Sequence, residues 1–346
     1  NGEPDSINVA AGTYDLTTPL TCTAPASENF SLVIDGTDSD AVVLNGNAQV
    51  PILRIDTTAV TNDSGVFVEV RNMTFGAGNA SGTPADGGAL AITMFDGNQP
   101  FEFASLVLVR GCEFYQNSAD GNGGAVYIRS PAVEGIYLDD LTFEDNSAGG
   151  TGGGAYVEGR FLGTPIEFNN IDFFSNTAQD SGGGLYAGGY DADTPGANRA
   201  NSISLNDISF AGNQSLGTTA ADGGGGADLG ANGSINITLT GFIDNQARSG
   251  GGLRIRPDFV EVNMVNSGFT GNTASEDGGA IWASESPFTF VTITNNTIYG
   301  NRARYAGGVY FQAIGLGERH ETLRLLPSGA TTPDHGPSVV TATCNF

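Results

Sequence analysis

The residues of this chain that could do chemistry are mostly acidic. Asp139 and Asp140 form its best carboxylate pair, the arrangement that acid–base chemistry or glycoside cleavage needs. Asp86, Asp120, Asp180, Asp222 and Asp277 each stand shortly before a glycine pair, and oxygen-rich loops of that kind suit Ca²⁺. Their spacing does not follow the nonapeptide calcium repeat G-G-x-G-x-D-x-U-x. If these turns align, like charges stack at the coil spacing and repel unless cations or splaying relieve them. Arg71 and Arg110 occupy equivalent places and can stack as a short basic ladder, with Glu69, Glu102 or Glu113 as simple ion-pair partners. Asp334-His335-Gly336 has the composition of a relay fragment, but no Ser or Cys nucleophile stands in a recognisable motif. Flanked by Pro333 and Pro337, it reads as a turn. No catalytic residue is assigned, and Ca²⁺ is the one cofactor the residues suggest.

The three cysteines divide. Cys112 stands where other copies of a repeat place Met73, Leu141, Ile171 and Ile208, so it is expected to be a buried apolar thiol. Cys22 and Cys344 lie near opposite ends. A disulfide needs Cα atoms within about 7 Å, so these two pair within one chain only if the tail folds back, or between chains stacked end to end; two free thiols are the third reading.

What must position these residues is a repeat of about 30 residues. It reads FYQNSADGNGGAVY from Phe114, FEDNSAGGTGGGAY from Phe143, FFSNTAQDSGGGLY from Phe173 and FIDNQARSGGGLRI from Phe242. Further copies start at Phe210 and Phe269, a looser one at Phe75, and Ile298 replaces the Phe in the last. Before each copy apolar and polar residues alternate, as in LVLVRGCEF and SISLNDISF, which predicts strands; no segment carries a helical stripe. Three residues before the Phe stand Asn72, Asp140, Asn170, Asp207, Asn266 and Asn295, which suit a corner because Asn and Asp tolerate left-handed backbone. That position makes Asp140 a turn residue before it is an acid. A second corner follows the Phe, where Asn117, Asn146, Asn176, Asn213, Asn245, Asn272 and Asn301 would stack as an amide ladder. Glycine pairs then open a third short strand. Three strands and three corners per repeat make one coil of a parallel β-helix, an all-β solenoid.

The F-x-x-N and G-G-A-[I/L/V] pair resembles the repeat of chlamydial polymorphic outer-membrane protein passengers. The opening, INVAAGTYDL from Ile7 and SLVIDGTDSDAVVLNGN from Ser31, resembles the first coils of the right-handed pectin-lyase-like superfamily. The resemblance covers roughly residues 5 to 312 and implies a right-handed parallel β-helix with three short strands per coil. Enzymes of that superfamily work in a lateral groove. Its lyases use Ca²⁺-binding carboxylates with an Arg or Lys base; its hydrolases use clustered Asp, a Gly-His-Gly segment and an Arg-x-Lys segment. This chain has two histidines, His320 and His335, both beyond the repeats, and its 13 basic residues are all Arg.

The repeat makes residues 1–312 one elongated β-helix and leaves 313–346 as a C-terminal cap or strand-exchange tail. About ten coils at ~4.8 Å would give a rod of roughly 50 Å. The tail would either cover its own last coil or lend SVVTATC (338–344) to the next subunit. The spacers 188–201 and 215–226 are expected to be lateral loops. The net charge of −25 excludes nucleic acid and anionic lipid as partners. No stretch is long and apolar enough to span a bilayer, and a start at Asn1 suits a chain processed by removal of a signal peptide. Together these features predict a secreted or cell-surface structural or adhesive solenoid without catalysis, with self-association end to end as a possible partner contact. Polysaccharide lyase or hydrolase activity is the rival. A glycan-binding module is the third reading, favoured if Trp282 or Tyr305 lines an exposed face.

Overall fold

A computed structural model describes residues 5–24, 30–60, 65–94, 105–130, 134–159, 165–188, 202–231, 233–256, 261–285, 290–313, 321–322 and 340–343. Strands from successive repeats stack in parallel into three sheets of 16, 7 and 11 strands, which makes the chain a parallel β-helix. The long sheet takes the first strand of every coil, from Asp5–Val9 through Leu106–Tyr115 to Phe290–Thr294 and Val340–Thr343. A narrow sheet of two-residue strands follows the motif Phe, and a third sheet follows the glycines, from Leu20–Thr23 to Val309–Ala313.

The alternation seen in sequence fixes which side chains enter the rod. Val107, Val109, Ile136, Leu138, Ile166 and Phe168 fill one wall, all buried. The motif phenylalanines fill the centre. Rings of Phe75, Phe114, Phe143, Phe173, Phe210, Phe242 and Phe269 stack with centroids 4.5–5.1 Å apart and planes within 11° of parallel. Such a pair contributes about 0.5–1.5 kcal/mol beyond the area it buries. Cys112 lies in this core, and burial pushes its thiol up to about 12.

The corners differ in kind. In the central coils the first corner does not end the strand: Leu106–Tyr115, Gly135–Glu144, Pro165–Phe174 and Ser202–Ala211 each run through it, bent by one left-handed residue. Asn72, Asp140, Asn170 and Asp207 have φ of 50–57° there, and Gly111 serves in the coil between. The second corner is bonded from inside. Asn117 donates from its backbone N and from Nδ2 to Asn146 Oδ1 at 2.9 and 3.0 Å. The same double contact joins Asn146 to Asn176, Asn176 to Asn213, Asn213 to Asn245, Asn245 to Asn272 and Asn272 to Asn301. Each amide thus neutralises buried backbone donors that the turn would leave unpaired. At the third corner the second glycine of each pair is sterically required. A Cβ on Gly124 would lie 2.1 Å from the carbonyl oxygen of Gly153 and 2.5 Å from that of Ser147.

The tail strand Val340–Thr343 lies parallel on Phe290–Thr294 of its own chain, and Glu321–Thr322 pairs antiparallel with Tyr310 and Phe311. Cys22 is a half-buried free thiol in the third sheet, whereas the tail strand belongs to the long sheet. Cys344, His320, His335, Glu102, the Asp334-His335-Gly336 segment and residues 189–201 of the first spacer lie outside the described residues.

Candidate functional site

The polar groups gather on two outer faces. On the long sheet, Arg71 donates to Asp35 at 2.7 Å and to Glu69 at 3.1 Å, and Arg110 pairs with the same Glu69. The hydrogen bond from Arg71 holds the Asp35 carboxyl below its ordinary value. In register with Arg110, Asp139 accepts from Asn169 Nδ2 at 2.8 Å, and Asp140 at the left-handed corner accepts from Asn170 Nδ2 at 2.7 Å. Each carboxylate of the candidate pair therefore accepts one side-chain amide of the next coil.

The second face is the outer surface of the third sheet. There Arg54, Ala91, Tyr127, Tyr156, Tyr186, Asp228, Arg254, Trp282 and Tyr310 stand in one register row. Alternation forces them outward, because Val126, Ile128, Leu185, Ala187, Ala227 and Leu229 on the same strands enter the core. The three tyrosine rings stack at 5.1 and 4.9 Å. Beside them Arg129 reaches Glu158 at 3.5 Å, and the Tyr156 hydroxyl donates to Glu158 at 2.8 Å. Asp228 is fully buried between two cations: Arg254 Nη1 lies 3.0 Å from its Oδ2, and Arg256 Nε 2.8 Å from its Oδ1. Arg256 donates further to the Tyr186 hydroxyl and the Ala187 carbonyl, at 2.7 and 2.8 Å. Its guanidinium lies 4.2 Å from the Tyr186 ring centroid, and that of Arg254 lies 5.0 Å from the Trp282 ring. Glycine makes the room: a Cβ on Gly188 would meet Arg256 Nη2 at 2.5 Å, and one on Gly230 would meet its Cζ at 3.0 Å.

Burial pushes the phenols of Tyr127 and Tyr156 upward, and the nearby Glu158 carboxylate adds to the rise for Tyr156. Groups held so firmly protonated at neutral pH are poor bases. Trp282 is buried in this row, while Tyr305 is half exposed at the last turn, with Arg304 5.1 Å from its ring.

The five turn aspartates stand in aligned turns but not at one position within them. Backbone bonds from Gly87, Gly123, Gly152, Gly182, Gly224, Gly250 and Gly278 to the next coil put Asp86, Asn122, Thr151, Ser181, Gly223, Ser249 and Asp277 in one column. Asp120, Asp180 and Asp222 precede that column. Asp86 accepts from the Asn122 backbone at 2.7 Å and Asp222 from that of Thr219 at 2.6 Å. Asp180 and Asp222 lie on adjacent coils; burial first, then the Asp222 charge, raise the Asp180 carboxyl. Among the described residues no three His, Cys, Asp or Glu side chains gather closely enough to hold a metal ion.

Four segments, 111–129, 140–158, 170–188 and 269–284, match the model of the Chlamydia polymorphic membrane protein repeat. Three of them begin at the left-handed corner residue of the long sheet and end two residues past the outer row of the third sheet, so the matched unit is most of one coil. Among solved structures, the A-module of the Azotobacter vinelandii mannuronan C-5 epimerase AlgE6 is similar at 14% identity and a TM-score of 0.44. The likeness covers 99% of this chain and 91% of that one. No curated protein sequence matches.

The sequence reading missed Asp228, Arg254 and Arg256, three of the buried charges among the described residues. The signal was available: they fall where AVY, AYV and LYA place Tyr127, Tyr156 and Tyr186 in other copies, or two residues later.

Proposed function

We propose that this chain is an extended β-solenoid of a cell surface or extracellular matrix, acting as a structural or adhesive module without catalysis. The observation that carries the reading is where its ionisable groups are spent. Asp228, Arg254, Arg256, Glu158 and Arg129 bond within the rod, and Asp139 and Asp140 each accept an asparagine amide of the next coil. Side chains arranged this way hold neighbouring coils together, leaving a long acidic surface as what the molecule presents. The repeat model that four of its segments match is named for membrane proteins, which supports a place at a cell surface.

A polysaccharide-cleaving or glycan-binding solenoid is the second reading. It is favoured by the aromatic and basic row on the third sheet, and the burial of Asp228, Arg256 and Trp282 argues against it. Incubation with pectate, alginate and other uronans tests the choice, reading unsaturated products, new reducing ends and changed uronate stereochemistry. The structural reading expects no turnover; product formation lost in an Arg256→Met variant that still folds would overturn it.

A further inference from the structure

The two ends of the rod differ in charge and in finish. The described residues up to 60 carry six carboxylates and one arginine, whereas those from 290 on carry one carboxylate and two arginines. At the first end, Asp5–Val9, Gly12–Asp15 and Leu20–Thr23 each pair along one edge only among the described residues. Register places Ile7, Tyr14 and Leu20 in the core columns of Ile34, Leu44 and Leu53. Those three partners are buried, yet Ile7, Tyr14 and Leu20 are 45%, 38% and 42% exposed. The hydrophobic column is thus open at this end. Asp5 stands in the core column of Leu32. A purely apolar cover would bury that carboxylate unpaired, at a cost of several kcal/mol, so whatever covers this face has to bring hydrogen-bond donors or a cation.

The opposite end of the same molecule offers one. Its last turn exposes Tyr299, Arg302, Arg304 and Tyr305, and the outer edge of Val340–Thr343 has no strand partner among the described residues. We propose that the N-terminal coil docks the C-terminal end of a second copy, head to tail. In a stack that continues the long sheet, Asp15 stands over the column of Tyr299, three residues before Arg302, Asp5 meets the free edge of the tail strand at Val340, and Ile7, Tyr14 and Leu20 are covered. The tail strand stays on its own chain and presents its free edge, so no strand is exchanged. A contact between unlike ends does not close on itself and propagates as a linear filament. It uses neither lateral face, so it stands whatever those faces do.

The test is sedimentation velocity and electron microscopy of the full chain near physiological ionic strength, where a Debye length of about 8 Å screens whole-rod repulsion but not close end contacts. Two variants reverse one end each: Asp5→Arg with Asp15→Arg, and Arg302→Glu with Arg304→Glu. All four side chains are exposed, and circular dichroism checks that both variants fold. The wild type is expected to form linear oligomers. Each variant alone should raise the concentration needed by about tenfold or more, and an equimolar mixture should restore assembly, because each reversed end then meets its complement. Alkylation of Cys22, which packs against the core at the docking end, should slow on assembly. A monomeric wild type, side-by-side association, or a mixture no better than its parts would overturn the proposal.

Discussion

Arg256 bonds to Tyr186 across an intervening coil: its Nη1 donates to the hydroxyl at 2.7 Å although the residues are 70 apart in sequence. Asp228, on the coil between, accepts from the same guanidinium. Three coils are therefore locked by one buried cation. Removing one partner of such a group leaves uncompensated charge, so Asp228→Ala should cost about 3–5 kcal/mol. Replacing the set with Asp228→Leu, Arg254→Met and Arg256→Met should recover most of that loss. Urea unfolding of both variants checks the pair of outcomes.

Glycine substitutions should separate backbone crowding from side-chain crowding. At Gly124 a Cβ meets a carbonyl of the next coil at 2.1 Å and cannot be relieved locally, so Gly124→Ala should cost about 3 kcal/mol or more. At Gly188 the nearest atom is the end of the Arg256 side chain, which can swing, so Gly188→Ala should cost about 1 kcal/mol. Equal costs in thermal unfolding would contradict the distinction.

The asparagine ladder makes a graded prediction. Asn176 accepts from the backbone N and Nδ2 of Asn146 and donates to Phe143 and Asn213, all from a fully buried site. Its loss strands several polar groups, each worth about 1–3 kcal/mol, so Asn176→Ala should cost about 3 kcal/mol. Asn301, partly exposed at the ladder's end, should cost about 1 kcal/mol. Chemical denaturation of the two variants tests the gradient.

The fold was legible because its signals are local. A Phe every coil, an Asn three residues later and alternation before both leave the backbone few options. The corner at Asn72, Asp140 and Asn170 could be read as a turn, but not that the strand continues through it, because one left-handed residue bends a strand without breaking its pairing. The outer row's alignment could be read from the repeat, but its burial could not. Tyr186, Asp228 and Arg256 come from three separate coils, and nothing at sequence level says that a polar side chain facing outward is buried. The turn aspartates looked equivalent because each precedes glycine, yet one or two inserted residues shift Asp120, Asp180 and Asp222 out of the Asp86 column.

Acid–base behaviour should follow those environments. Asp180 is raised by burial and by Asp222, so its charge opposes folding at neutral pH, and that penalty fades as pH falls through its folded-state value. Asp180→Asn should therefore raise the melting temperature at pH 7 and have little effect near pH ~3. Asp35 runs the other way: lowered by Arg71, it contributes stability above its unfolded value that is lost as pH falls. Melting curves across this range check both signs.

Cation dependence tests the role of the acidic turns. With Asp86 and Asp222 accepting backbone hydrogen bonds, Ca²⁺ or a chelator should leave the melting temperature unchanged. A rise with Ca²⁺ that is lost in Asp180→Asn would instead assign the Asp180 and Asp222 turns to a metal.

The most direct test of the account is amide hydrogen exchange along the third sheet. If Tyr186, Asp228, Arg254 and Arg256 serve to bind coils together, the amides of Leu185–Gly188, Ala227–Leu229 and Leu253–Ile255 should exchange only with global unfolding, and Arg256→Met should release them together. Fast local exchange of these strands in the wild-type protein, as expected of a site that opens to take a ligand, would contradict it.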